Sequence, residues 1–368
     1  MSQLDPKVMT VRGPVAPEAL GLTSLHEHIL CDLSACYRDR FRKILPAEME
    51  MPDGPFGLEG RSTLRHAMLL SSSNLRLDDE KVMTAEVADF AAAGGGAIVE
   101  TGSPGIRTGD DVRAFARMSQ ATGVHIVACT GLYAEDSWPE RFRGLSEAQY
   151  ADYLRGEIAS GIGGSGILPG QIKVAYEGRS ADADAYLRAA ARVSRESGLS
   201  LQVHVGLLQS NPELRESFLP LLYGSECVPE RTVICHVENW LGSLPLQQIV
   251  LEPRLAAQDL TLHREVLDRG FHVCFTCIGA EWDLEELGFA HRPDWFYLAG
   301  MVALIREGYA DRLTLGHDVF TKLCTRRGGG EGYTRIPRFV LPLLGRCGVS
   351  DADIRKLTVE NPARLLAQ

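Results

Sequence analysis

Asp182-Ala-Asp-Ala-Tyr-Leu-Arg-Ala-Ala-Ala-Arg-Val-Ser-Arg-Glu-Ser197-Gly198-Leu-Ser-Leu201-Gln-Val-His-Val205 holds one helix-to-strand unit. An amphipathic helical stretch runs to Ser197, Gly198 can take the left-handed cap, and a short apolar strand follows at once. The same order of helix, glycine and strand recurs at Ala93-Gly94, Thr122-Gly123 and Arg269-Gly270. It is the αβ half of a βαβ unit, the building block of parallel sheets.

Working outward, the candidate strands are Leu22–His28, Ala97–Thr101, His125–Thr130, Gln171–Val174, Leu201–Val205, Thr232–Val237, His272–Thr276 and Leu313–Asp318. Most are rich in Val, Ile and Thr and follow a glycine or polar turn. Helical segments lie between them at Asp79–Ala93, Asp110–Thr122, Ala148–Ser160, Asp182–Ser197, Leu260–Arg269 and Asp294–Glu307. Eight strands alternating with helices predict an α/β fold, a (β/α)8 TIM barrel in preference to an open doubly wound sheet. Residues 1–368 are expected to form a single domain. The stretch Cys31–Leu77, broken by Pro46, Pro52, Gly54, Pro55, Gly57 and Gly60, reads as an insertion after the first strand that folds over the barrel mouth. It has too little apolar periodicity for a core of its own.

The 368 residues carry 48 acidic and 38 basic side chains, a net charge of −10, and are 45% hydrophobic. An acidic balance argues against a nucleic-acid partner, which needs a basic face. No apolar run approaches the roughly 18–20 residues that cross a bilayer, and Met1–Lys7 lacks a signal-like apolar stretch. Nine cysteines, an odd number scattered along a long chain, are expected to be reduced thiols in a cytoplasmic protein.

Chemistry concentrates at the ends of the predicted strands. In Leu25-His26-Glu27-His28 the two histidines, two apart on a strand, point the same way, as metal-ligating imidazoles must. His204, His236 and the pair His317-Asp318 recur at the ends of three more strands, the end of a barrel that builds active sites. Singly, each histidine reads as well as a hydrogen-bonded core residue. Lys173 lies inside the strand Gln171–Val174 among aliphatic residues. Three readings fit it: a lysine snorkelling at the strand edge, a reactive amine of lowered pKa, or a carbamate formed with carbon dioxide.

These residues carry a resemblance. The opening Val11–His28, with Ile172-Lys173-Val174, Val203-His204, His236, Gly316-His317-Asp318, Gly329–Tyr333 and Glu360–Leu366, is similar to the phosphotriesterase family of the amidohydrolase superfamily, from about Val8 to Leu366. The resemblance implies a metal-dependent hydrolase with two divalent cations in the barrel. His26, His28 and Asp318 would hold one cation, His204 and His236 the other, and carbamylated Lys173 would bridge them. Zinc is the expected metal, with manganese, cobalt or iron as alternatives. The implied nucleophile is a hydroxide shared by the cations, with Asp318 taking its proton.

The expected substrate is a small molecule with an ester-like bond, a lactone or carboxylic ester first, a phosphotriester or carboxamide second. Tyr133, after the third strand, resembles the lactonase branch, whereas the organophosphate branch has tryptophan there. Phe275-Thr276-Cys277 stands where relatives carry Asp followed by His or Arg, so the relay of one branch and the arginine of the other are absent. Tyr133, Cys277, Trp282 and Arg292 are the candidate pocket residues. A homodimer is in keeping with the resemblance. Two further classes compete: a barrel that binds metal or a small ligand without catalysis, and a cofactor-dependent oxidoreductase using Gly328–Gly330 for phosphate. The motif Gly161–Gly166 has dinucleotide-binding spacing but precedes a strand instead of following one. Cys274 and Cys277 match C-x-x-C, but three apart on a strand they face opposite sides.

Overall fold

The structure, a computed structural model, describes residues 5–34, 71–108, 112–206, 211–242, 257–280 and 292–368, with a few between them (60–61, 64–65, 68, 208, 251–252, 283–284 and 289–290). Most of the predicted insertion, and Trp282, therefore lie outside the described residues.

Eight parallel strands follow one another around a barrel: β1 (Leu22–Glu27), β2 (Gly95–Glu100), β3 (His125–Gly131), β4 (Gln171–Ala175), β5 (Ser200–His204), β6 (Thr232–Cys235), β7 (His272–Phe275) and β8 (Leu313–Leu315). Alternate residues face opposite ways, as a closed sheet requires. Val233, Cys235, Cys274, Leu25 and Val99 join an inner cluster with Leu365 and Leu366 of the C-terminal helix. Ile234, Val273, Leu201 and Val203 turn outward to pack on helices.

Those helices are α1 (Glu80–Ala92), α2 (Arg113–Thr122), α3 (Glu147–Ser160), α4 (Ala181–Ser197), α5 (Pro212–Gly224), α6 (Thr261–Asp268) and α7 (Asp294–Arg306). Their starts are set by short polar side chains: Asp79 accepts from Val82 N, Ser180 from Ala183 N, and Ser146 forms a capping box with Gln149. Gly123 and Gly198 close α2 and α4 in the left-handed conformation. No helix is predicted between Val205 and Thr232, yet α5 forms there. Pro212 occupies its first turn, where no N–H is needed, Asn211 caps it, and Pro220 is accommodated inside.

Among the predicted strands that end early, three run into left-handed backbone. β6 stops at Cys235, β7 at Phe275 and β8 at Leu315, and the chain then turns through left-handed residues: His236 (φ 65°), Cys277 (φ 52°) and Asp318 (φ 54°). Each such backbone costs about 1–3 kcal/mol and persists only where its surroundings impose it. The C-x-x-C argument changes accordingly, because Cys277 lies beyond the strand that carries Cys274. Cys274 faces the barrel interior, and both are free thiols.

No ladder pairing joins β8 to β1 among the described residues. The seam is closed by Asp318 N donating to His26 O (3.1 Å) and by close backbone approach at Gly316, where a Cβ would stand 2.8 Å from His26 O. Beyond β1, Cys31–Asp32 pairs antiparallel with Arg76–Leu77, so both ends of the predicted insertion meet beside the barrel. No helix among the described residues is long and apolar enough to cross a membrane.

Candidate metal centre

The C-terminal ends of β1, β4, β5, β6 and β8 bring His26, His28, Lys173, His204, His236 and Asp318 into one buried group. His26 and Lys173 have no exposed surface, and His204, the most open, keeps 9%. Asp318 Oδ1 lies 3.6 Å from His26 Nε2 and 3.5 Å from His28 Nε2, and its Oδ2 lies 3.8 Å from His236 Nε2. The His204 and His236 rings are 4.0 Å apart, and Lys173 Nζ is 3.5 Å from His26 Nε2.

Three candidate ligand sets emerge among the described residues, His26–His28–Asp318, His26–His204–His236 and His236–Glu238–Cys277, each with its donor atoms within 4.8 Å of one another. His26 joins the first two sets and His236 the last two. Buried polar atoms are normally paired. Here His26 Nδ1, His28 Nδ1, His204 Nδ1, His236 Nε2 and Asp318 Oδ1 are buried without a hydrogen-bond partner. Burial, reinforced by the neighbouring Lys173 and the other imidazoles, pushes the pKa values of His26, His28 and His204 well below the ordinary value, which keeps the rings in the neutral, ligating form. Imidazoles with one carboxylate suit a borderline divalent ion such as zinc. The donor set therefore fits a metal.

Burial also raises the Asp318 carboxyl to about 6, against the pull of His236 and Lys173, and pushes the Lys173 amine down. His236 differs from the other imidazoles. Burial opposes its charge, but the hydrogen bond to Glu238 and the charge of Asp318 outweigh this and raise its pKa.

Glu238 and Thr276 are functional neighbours that the sequence reading did not assign. Thr276 Oγ1 is 2.7 Å from His236 Nδ1 and donates to Glu238 Oε1 (2.8 Å), while Thr276 N donates to Glu238 Oε2 (2.9 Å). Together they orient the ring so that Nε2 faces Asp318. The spacing of Glu238, two residues after His236, is the only sequence signal for this. Glu177, after β4, approaches His204 Nε2 at 3.2 Å and was also missed.

Of the pocket candidates, Tyr133 is buried, with its ring 5.1 Å from that of His204 and 6.5 Å from that of His28. Cys277 Sγ donates to Asp318 Oδ2 at 3.4 Å. Arg292 lays its guanidinium over the Phe296 ring at 4.8 Å. His317 keeps a structural role, bonded to Glu27 and to Ile336 N. The stretch Gly161–Gly166 follows α3 and leads into β4 as a turn, with Gly163 in the left-handed region.

A parallel barrel with buried imidazoles and a carboxylate at its C-terminal mouth defines a class, the metal-dependent barrel hydrolases. The sequence pattern of the phosphotriesterase family matches residues 6–366, and the chain belongs to that family. The N-acetyltaurine hydrolase of Tetraodon nigroviridis is 28% identical over 382 aligned residues, covering all of this chain and 99% of the relative. That of Homo sapiens is 26% identical over 372 residues, with the same coverage. Among solved structures, a resiniferatoxin-binding protein from Rhodobacter sphaeroides superposes with a TM-score of 0.83 at 32% identity, covering 98% of this chain and 94% of that one. The organophosphorus hydrolase from Deinococcus radiodurans gives 0.70 at 26% identity, covering 100% of both chains. The chain is a hydrolase of this family, whose enzymes depend on two metal ions.

Proposed function

We propose that the chain hydrolyses a small N-acyl compound at its carboxamide bond, with a lactone or carboxylic ester as the second reading. One observation carries the order: the chain aligns from end to end with N-acetyltaurine hydrolases at 26–28% identity. The first expectation, an ester-like bond, retains support from Tyr133 beside His28 and His204.

His26, His28 and Asp318 would hold one divalent ion, His204 and His236 the other, and Lys173, as a carbamate, would bridge them. The ions supply Lewis acidity and an acidified water. The chain's own residues do the rest. Asp318 would take a proton from the attacking water and return it to a leaving nitrogen, which an amide needs more than an ester does. Cys277 Sγ–H holds Asp318 Oδ2, which leaves Oδ1 toward His26 and His28. Glu238 and Thr276 fix His236. Tyr133 walls the mouth next to two imidazoles and excludes water from that side.

The test is a hydrolysis screen of the metal-loaded protein across N-acyl amino acids and N-acetyltaurine, lactones, aryl esters and phosphotriesters. A kcat/KM at least tenfold higher for an N-acyl amide than for any other class is expected. A lactone or ester leading by that margin would replace the first reading with the second, and no turnover of any class with metal bound would support a non-catalytic barrel.

A further inference from the structure

We propose that Gln202 is a positioning residue for Lys173, whose locked side-chain amide decides which way a carbamate on that lysine faces. The inference rests on the reading of Lys173 as a carbamate.

Lys173 and Gln202 are register partners on β4 and β5, and both side chains are fully buried. Lys173 Nζ donates to Gln202 Oε1 at 3.0 Å. The other end of the amide is committed. Gln202 Nε2 donates to Leu25 O at 2.8 Å and to Gln171 Oε1 at 2.9 Å. A flipped amide would set its oxygen against two acceptors and its NH2 against the lysine, so only one orientation satisfies the site. Gln171 is anchored in turn, its Nε2 donating to Ser200 Oγ at 3.0 Å. A polar chain, Lys173–Gln202–Gln171–Ser200, thus descends between two strands inside a barrel otherwise lined by Leu25, Val99, Cys129, Cys235 and Cys274. A buried polar network in an apolar core is maintained only when every member is satisfied, and here each link is made.

The geometry has a chemical consequence. When the neutral amine adds carbon dioxide, an N–C bond forms, one C=O electron pair moves to oxygen, and one nitrogen proton passes to water. One N–H remains on a planar, amide-like nitrogen. The acceptor waiting for it is Gln202 Oε1. With that N–H held down the barrel, the carboxylate points away from Gln202, to the side where His26 Nε2 lies 3.5 Å from Nζ. The bond from Gln202 to Leu25 O also ties this orientation to the residue before His26. Gln202 touches neither metal ligand atoms nor substrate except through Lys173, so its effect falls on carbamate formation and metal loading before turnover.

The test uses the full chain incubated with zinc and ¹³C-labelled bicarbonate, read by the ¹³C carbamate resonance and by zinc content as bicarbonate is varied. Wild type should show one carbamate per chain. Gln202→Met, of equal length but without an acceptor, should need about tenfold more bicarbonate for half-maximal carbamate and zinc, with recovery at high bicarbonate. Circular dichroism and thermal unfolding of the metal-free proteins check the fold. Gln202→Asn, which withdraws the amide by one methylene, is read in the same way if Gln202→Met does not fold. A variant within twofold of wild type overturns the role of Gln202 and leaves the carbamate intact. A wild type with two zinc ions and no carbamate resonance overturns the carbamate reading, and this proposal with it.

Discussion

His317 Nδ1 donates to Glu27 Oε1 across 2.6 Å, and this buried pair spans the seam where β8 meets β1. Ile336 N–H donates to His317 Nε2, which assigns the ring proton to Nδ1. The same carboxylate accepts from His317 N (2.8 Å) and Val319 N (3.1 Å), the two residues flanking Asp318. One glutamate therefore fixes the turn that aims the proposed catalytic aspartate, at the seam that carries no ladder among the described residues.

Glu27→Ala would strand these donors in the core and should destabilise the metal-free protein by about 3–5 kcal/mol in urea unfolding. Glu27→Gln, which keeps one acceptor, should fall between it and wild type. Both should retain less metal after dialysis, because Asp318 is no longer held. Wild-type metal retention in a folded Glu27→Ala would remove Glu27 from the site.

The unpartnered His204 Nδ1, His236 Nε2 and Asp318 Oδ1 of the centre predict that metal both activates and stabilises. Chelation should abolish hydrolysis, and adding back a divalent ion should restore it with about two ions per chain by elemental analysis. Melting temperature should rise with metal concentration, as any ligand of the native state requires. Full activity with one ion or none would end the two-metal reading.

Asp318→Asn keeps the size of the side chain and removes its capacity to carry a proton. The expected loss is about 10²–10⁴-fold in kcat, with KM changed far less, in steady-state kinetics on metal-loaded enzyme. An unchanged kcat would show that the proton travels elsewhere.

His263 offers a stability test outside the ligand set, against the backbone of the residue that follows His236. Burial lowers its pKa to about 4, against the opposing hydrogen bond with Val237 O at 2.8 Å. Below pH 6.5 the unfolded chain takes up a proton that the folded site refuses, so stability falls as pH drops from 6.5 to 4. This one group accounts for about 3 kcal/mol over that range. His263→Gln can keep the bond to Val237 and cannot titrate. Between pH 6.5 and 4 the variant should therefore lose less unfolding free energy than wild type by that amount, with only a constant offset near pH 7.5.

Much of this protein could be read from local pattern. Period-two spacing put His26 and His28 on one face of a strand. The recurrence of helix, glycine and strand predicted eight parallel strands, and the similarity of His204, His236, Lys173 and Asp318 to a known motif order singled out residues that the structure brings into one buried group. These readings depend on spacing along the chain, which sequence reports directly. Helix α5 escaped because Pro212 and Pro220 signal a break unless a cap and a first-turn position are known to receive the former.

The tertiary structure decided what depends on strands far apart in sequence. Only barrel closure sets Glu27 against His317, 290 residues away, and Thr276 against His236, 40 residues away. Asp and His adopt left-handed backbone more readily than most non-glycine residues, but only packing around the mouth holds His236, Cys277 and Asp318 in it together. Lys173 shows the division most plainly. The sequence left it as a snorkelling, reactive or carbamylated lysine, and its complete burial against Gln202 and His26 excludes the first, because an amine inside the barrel has no solvent to reach.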